Sequence, residues 1–144
     1  MNQEKTFKLT IRTPDEEIYN GKIKSLKILT EGGWIQVFSN HSTLTGTLSY
    51  SPISFIDQNN QEERYVGKRG TLLVSNSMNA VTIILLSCEL SSKLSPTNAL
   101  EYLQFIESEL DKKQDLSNFH LEFLEEEKFV IKKEIEELEN MGKK

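Results

Sequence analysis

Cysteine is nearly absent from this sequence. Cys88 stands alone, so no disulfide forms within the chain, and a reducing compartment is the simplest context for it. Only two histidines are present, His41 and His120, and no Cys/His cluster has the spacing of a zinc site. Long apolar runs are missing as well. The longest, Val81 to Leu86, is interrupted by Thr82; it is too short to span a bilayer and fits a buried strand. No apolar N-terminal stretch reads as a secretory signal. Alanine occurs twice, so leucine, glutamate and lysine must carry the helix propensity. What is there is a chain of 144 residues with 27% charged and 8% aromatic side chains. That is enough for one domain, or one domain with a smaller appendage, around a core that needs no metal or disulfide.

Charge is unevenly spread along the chain. The net charge is −5. Residues 1–90 carry nine Lys/Arg and nine Asp/Glu, whereas residues 91–144 carry eight basic and thirteen acidic residues. Neither part is basic, so no nucleic-acid partner is expected. The acidic last third is a poor match for an anionic membrane surface, and no direct membrane insertion is expected.

The two parts also differ in period. Phe7, Leu9 and Ile11 alternate with Lys8, Thr10 and Arg12, the pattern of a strand with one buried face. A second strand runs from about Ile18 to Thr30, and its phase slips between Ile23 and Leu26, which predicts a bulge. Glu31-Gly32-Gly33 reads as a turn before Trp34 to Phe38. Leu44, Gly46 and Leu48 follow on one face, and Pro52 reads as the end of that stretch. Asp57-Gln58-Asn59-Asn60-Gln61 and Ser75-Asn76-Ser77-Met78-Asn79 each join two apolar segments, as hairpin loops do. The count is eight to ten short strands over residues 1–90, spaced as in a β-sandwich or barrel.

At Ser95-Pro96 the pattern becomes helical, with serine as N-cap and proline at the first helical position. Ala99, Leu100, Leu103, Ile106 and Leu110 follow the 3.6 period. After the polar break Asp111 to Asp115, Ser117 is a second candidate cap. Leu121, Leu124, Ile131, Ile135 and Leu138 form a stripe interrupted by Lys128. Residues 91–144 are thus expected to form an α-helical hairpin.

No constellation for chemistry emerges: no catalytic residue, metal ligand set or cofactor site is expected. Cys88 lies beside Glu89, which disfavours a thiolate, and reads as a buried packing residue. The pairs Gly32-Gly33 and Gly67-Lys68-Arg69-Gly70 read as turns, not phosphate cradles, because neither sits at a strand-to-helix junction. The acidic run Glu125-Glu126-Glu127 lacks the glycine and alternating oxygen ligands of a calcium loop and reads as a solvated helix face. An interaction or structural role is favoured over an enzyme.

The segment Gly33-Trp34-Ile35-Gln36-Val37-Phe38-Ser39-Asn40-His41-Ser42-Thr43-Leu44 resembles the turn–strand–histidine signature of the ε subunit of F-type ATP synthases, called δ in mitochondria. The rest follows in the family's order. Phe7 to Ile11 precedes a Thr-Pro turn and an acidic pair, then Tyr19-Asn20-Gly21 opens a long strand. Tyr65-Val66-Gly67 with Gly70-Thr71-Leu72-Leu73-Val74 resembles Tyr-x-x-Gly-Gly-x-Leu-x-Val, and Asn79 precedes Val81-Thr82-Ile83. Ser39 and Thr43 replace prolines usual in the family, and Lys68-Arg69 widens the glycine pair.

The resemblance implies a non-catalytic central-stalk rotor subunit that couples γ to the c ring in proton-driven ATP synthesis. It implies a place peripheral to the cytoplasmic face of the cell membrane, or the matrix side of an organelle's inner membrane. Glu31, Gly32, Gly33, His41, Ser42 and Leu44 are the implied contacts with γ and the c ring; for His41 a structural role in the turn stands as the alternative. Trp34 reads as core. The hairpin is the implied regulatory element, folded on the sandwich or extended along γ, where it blocks rotation in the ATP-hydrolysing direction; Lys128, Lys132 and Lys133 are its basic residues, available to meet the catalytic α/β subunits. Some bacterial members bind ATP through Ile/Leu-Asp-x-x-Arg-Ala at the first helix. Here Leu94-Ser95-Pro96-Thr97-Asn98-Ala99 lacks both the aspartate and the arginine, so no ATP site is implied. Two alternatives stay open: an ε-like subunit of a related ATP-hydrolysing motor, and a free-standing β-sandwich binding module.

Overall fold

The computed structural model describes residues 5–112 and 118–142. The chain divides into two compact units, Met1–Leu90 and Ser91–Lys144. The described residues of the first form six strands: β1 (Phe7–Arg12), β2 (Glu17–Thr30), β3 (Gly33–Phe38), β4 (Leu44–Asp57), β5 (Glu62–Ser75) and β6 (Ala80–Leu90). They hydrogen-bond in the order β1-β6-β5-β4-β2-β3, and β1 also pairs with β2, which closes the sheet on itself.

The closure depends on strands that change partners along their length. The first half of β2 pairs antiparallel with β1, from Phe7 opposite Ile23 to Ile11 opposite Tyr19. Its second half pairs with β3 on one side and with Ile53 to Asp57 of β4 on the other. The change falls at the register shift between Ile23 and Ser25, the bulge that the phase slip predicts. β5 runs along β4 from Glu62 to Val74 and along β6 from Tyr65 to Ser75, and β6 adds a parallel pairing with β1. The result is a β-sandwich with an apolar interior.

Six strands therefore stand where eight to ten were expected from sequence. Leu44–Leu48 and Ile53–Ile56 are two parts of one strand, with Pro52 inside it, and the segments either side of Lys68-Arg69 are likewise parts of β5. Pro52 does not end a strand, and Gly67 to Gly70 is not a turn. At this level the ladders skip one position in each strand: Arg69 has φ +54°, and neither Ser49 nor Leu86 pairs with it. Both ladders are interrupted at the same level.

The interior is filled by the alternating residues of every strand: Leu9 and Ile11 of β1, Ile23, Leu26 and Ile28 of β2, Val37 of β3, Phe55 of β4, Leu72 of β5 and Ile83 and Leu85 of β6, all essentially sealed from solvent. Each such side chain contributes about 1.5–3 kcal/mol through burial. Phe55 is flanked by Tyr19 and Tyr65, with ring centroids 4.6 and 5.9 Å away. Cys88 joins the same core, as expected. Burial, with a smaller contribution from the Glu89 charge, pushes its thiol up to about 12. Trp34 is half-buried and lies outside that core, contrary to its expected place. It falls on the same face of β3 as Gln36 and Phe38, opposite to Val37.

The second unit begins with a 3-10 turn at Ser91–Lys93, followed by α1 (Pro96–Asp111) and α2 (Asn118–Gly142). Ser95 caps α1 by accepting a 3.3 Å hydrogen bond from the Asn98 amide, with proline in the first turn. The buried face of α1 is Ala99, Tyr102, Ile106 and Glu109; Leu100 is turned to solvent. On α2, Phe123, Leu124, Glu127 and Ile131 are buried, Ile135 and Leu138 are half-buried, and Leu121 is exposed. The expected cap Ser117 and the polar break over 113–115 lie outside the described residues.

Gly70 lies tight against neighbouring backbone. A Cβ there would stand 1.9 Å from the carbonyl oxygen of Ile84. Gly70→Ala is expected to cost more than about 3 kcal/mol in urea denaturation, because the obstacle is backbone that cannot swing aside. Gly32→Ala, whose Cβ meets nothing nearer than 3.7 Å, should stay near the wild-type midpoint.

A second expectation concerns alkaline pH. The folded Cys88 thiol holds its proton well above the ordinary range of about 8.5. Its contribution to stability is therefore intact below that value and fades as pH rises toward 12. Tyr19 and Tyr65, both raised chiefly by burial, act in the same direction. Stability measured by denaturant titration between pH 8 and 11 should fall less steeply in Cys88→Val than in wild type, and equal slopes would refute it.

Candidate functional site

The candidate contact residues occupy two places, not one. The first is the β2–β3 turn. Thr30 holds it, its hydroxyl accepting from the Gly32 amide at 3.2 Å and donating to the Gly33 carbonyl at 2.8 Å. Gly33 turns back with φ +119°, a conformation that side chains strain to adopt. The Glu31 amide donates to the Thr47 carbonyl at 2.9 Å, and the Ser49 hydroxyl donates to the Glu31 carboxylate. Glu31 and Gly32 are exposed, so the turn presents an acid fastened to the neighbouring strand.

The second place is the β3–β4 loop, Ser39 to Thr43, at the other end of β3. Six extended residues separate the two, about 17–20 Å. His41 is half-buried. Its amide donates to the Phe38 carbonyl at 3.2 Å, and its Nδ1 lies 2.8 Å from the Ser42 carbonyl. Its ring thus bonds backbone within the loop, the arrangement of a structural turn histidine. Ser42 is exposed, whereas Leu44 is half-buried and packs against the core.

What holds this loop is the β5–β6 turn, whose role was not apparent from sequence. The Asn79 side chain donates to the Thr6 carbonyl and to the Ser39 hydroxyl, each at 3.1 Å, and accepts from the Asn40 amide at 2.7 Å. Asn76 donates through its side chain to the carbonyls of Asn40 and His41, at 2.9 and 3.2 Å, and its amide donates to the Thr43 hydroxyl at 2.9 Å. Asn40 and Asn79 both have positive φ, at 63° and 48°, which asparagine tolerates better than most residues. The signal available in sequence was the pair of asparagines in a short polar turn, which by composition alone reads only as a loop.

In the second unit, Lys128 is half-buried and Lys132 and Lys133 are exposed. Lys128 and Lys132 line a shallow depression with Leu110, Glu125 and Phe129. Phe129 is 70% exposed, an unusual setting for so large an apolar group. Burial, with the Glu137 charge second, raises the Glu134 carboxyl above its usual range. Among the described residues no group of three or more His, Cys, Asp or Glu gathers to hold a metal, and no helix is long and apolar enough to cross a membrane.

The described residues thus form a β-sandwich whose end loops are braced against each other, and a two-helix unit. Residues 6–91 match the family model described as ATP synthase, Delta/Epsilon chain, beta-sandwich domain. The chain belongs to that family, as the sequence resemblance implied. It is 29% identical over 115 residues to an ATP synthase epsilon chain of Natranaerobius thermophilus, covering 80% of this chain and 81% of that one. It is 30% identical over 107 residues to the chloroplastic epsilon chain of Spinacia oleracea, covering 74% and 78%. Its fold is similar to that of a chain in the Euglena gracilis mitochondrial ATP synthase OSCP/F1/c-ring structure, with TM-score 0.59 and 16% identity over 83% of this chain and 74% of that one.

Replacing Asn79 by alanine removes a donor and acceptor shared by three segments. Asn79→Ala is expected to cost about 2–3 kcal/mol, since it also strands the groups it satisfied. Hydrogen exchange at the Asn40 amide should accelerate far more than at Leu9 or Ile83; uniform acceleration would show that Asn79 is not a local brace.

Proposed function

We propose that this chain is the ε-type subunit of the central stalk of an F-type ATP synthase, joining γ to the c ring so that the two turn together during proton-driven ATP synthesis. It performs no chemistry itself. It works from the periphery of the membrane, on the cytoplasmic face in a bacterium or the matrix side in an organelle. The observation that carries the proposal is the family match across the whole β unit, residues 6–91. The geometry suits the role: a torque-bearing contact needs loops that do not yield, and the loop at His41 is tied to a neighbouring turn through Asn76 and Asn79. Glu31, Gly32 and Gly33 form one contact point in this proposal, and His41, Ser42 and Leu44 the other.

The unit at residues 91–144 acts as the regulatory element. Lys128, Lys132 and Lys133 are its means of meeting an acidic surface of the catalytic α/β subunits. Their neighbours Glu125, Glu126, Glu136 and Glu137 are exposed and oppose that approach. At the start of α1, Ser95 and Asn98 stand where ATP-binding members of the family carry aspartate and arginine, so no ATP site is proposed there.

The test is affinity purification of the tagged chain from its native membranes, with co-purifying subunits identified by mass. Recovery of α, β, γ and c subunits is the expected result. Recovery of α, β and γ without c would favour a hydrolytic motor, and recovery of none from extracts holding intact synthase would favour a free-standing binding module. In the same preparations, removal of residues 91–144 should raise ATP hydrolysis; unchanged hydrolysis would remove the regulatory role.

A further inference from the structure

We propose that α2 pairs antiparallel with α2 of a second copy of the chain, about a two-fold axis beside Phe129. This goes beyond the stalk role and does not depend on it. Phe129 is 70% exposed and stands on the face of α2 opposite Leu124, Glu127 and Ile131, which are buried. With about 3.6 residues per turn, the same outer face carries Glu125 and Glu126 before the ring and Lys132 and Lys133 after it. All four are exposed. Glu125 and Lys132 lie two turns apart, about 10.5 Å along the axis, too far to pair within one helix. Glu125, Lys132 and Lys133 hold no ion pair among the described residues. A bare ring does not name its occupant, but the order of charges around it does.

That order is its own complement when reversed. In an antiparallel pair centred on Phe129, Glu125 faces the partner's Lys132 and Glu126 faces the partner's Lys133. The two-fold axis repeats both contacts, so four Glu–Lys pairs surround the two rings. In a parallel pair in register, Glu would meet Glu and Lys would meet Lys. Flanking charges of this kind set partner and orientation where two helices pair. Antiparallel pairing does not supply the match by itself: it requires acids before the ring and bases after it. Leu110 of α1 and the stems of Lys128 and Lys132 border the ring, so apolar surface continues beyond it. One turn further out, Glu122 meets the partner's Glu136, which confines the seam to residues 125–133. The result is a weak dimer of the free chain, strongest at low salt, where exposed charges are least screened.

The experiment is sedimentation equilibrium of the full chain up to about millimolar concentration, at about 0.01 M and about 1 M salt. Wild type should dimerise at low salt and at least about tenfold more weakly at high salt. Glu125→Lys with Glu126→Lys brings the net charge from −5 nearer to zero, which lessens general repulsion between copies. That double variant should nonetheless self-associate at least about tenfold more weakly than wild type, as should Lys132→Glu with Lys133→Glu. All four substitutions in one chain reverse the charge order and should restore the association. Phe129→Ala should weaken it. Circular dichroism verifies that each variant keeps its helices. A wild-type chain that stays monomeric at low salt overturns the proposal. So does a dimer indifferent to salt, one that Glu125→Lys with Glu126→Lys leaves unchanged, or a folded four-site variant that stays monomeric.

Discussion

The first unit depends on the level at which the β4–β5 and β5–β6 ladders are both interrupted. The sheet buries one face by closing on itself through the β1–β2 pairing, with β2 changing partners along its length. The constraint is concentrated at Arg69, which adopts a left-handed backbone, and at Gly70, which lies against the Ile84 carbonyl. Everything packed inside, from Leu9 to Cys88, relies on the two layers being held at this separation. The bulge at Ile23 to Ser25 does the corresponding work in β2.

The periodicity of the sequence was enough to give the architecture, because alternation of apolar and polar residues reports burial directly. It could not give the strand count. A proline and a glycine pair are punctuation in most sequences, and only the ladder shows that Pro52 and Gly70 sit within continuous pairing. The helices show the same limit. Ser95-Pro96 is a local signal and was legible, whereas the choice between Leu100 and Tyr102 as the buried residue is set by packing in three dimensions. Trp34 was misplaced because its size argues for burial while its register in β3 puts it on the outer face.

The candidate contacts were legible only through family likeness. Nothing in Glu31 or His41 marks it chemically, and their separation along β3 is invisible until the strand is drawn. The second helix illustrates a different blind spot. Its run of glutamates resembles a uniformly solvated face, yet Glu127 is buried while its neighbours Glu125 and Glu126 are exposed. A charge pattern in one dimension carries no record of which turn of a helix faces inward.

The bracing of the β3–β4 loop also sets its mechanical compliance. A loop tethered only at its ends bends under a small force and stores the work as elastic energy in its own dihedrals. Ser39 to Thr43 is tethered in the middle as well, by amide side chains that reach β1's leading residue Thr6 on one side and the loop backbone on the other. A sideways load on His41 is therefore carried into the β1 and β6 ladders as shear, spread over many hydrogen bonds at once. The loop is held as part of the sandwich and yields less than one fastened only at its ends.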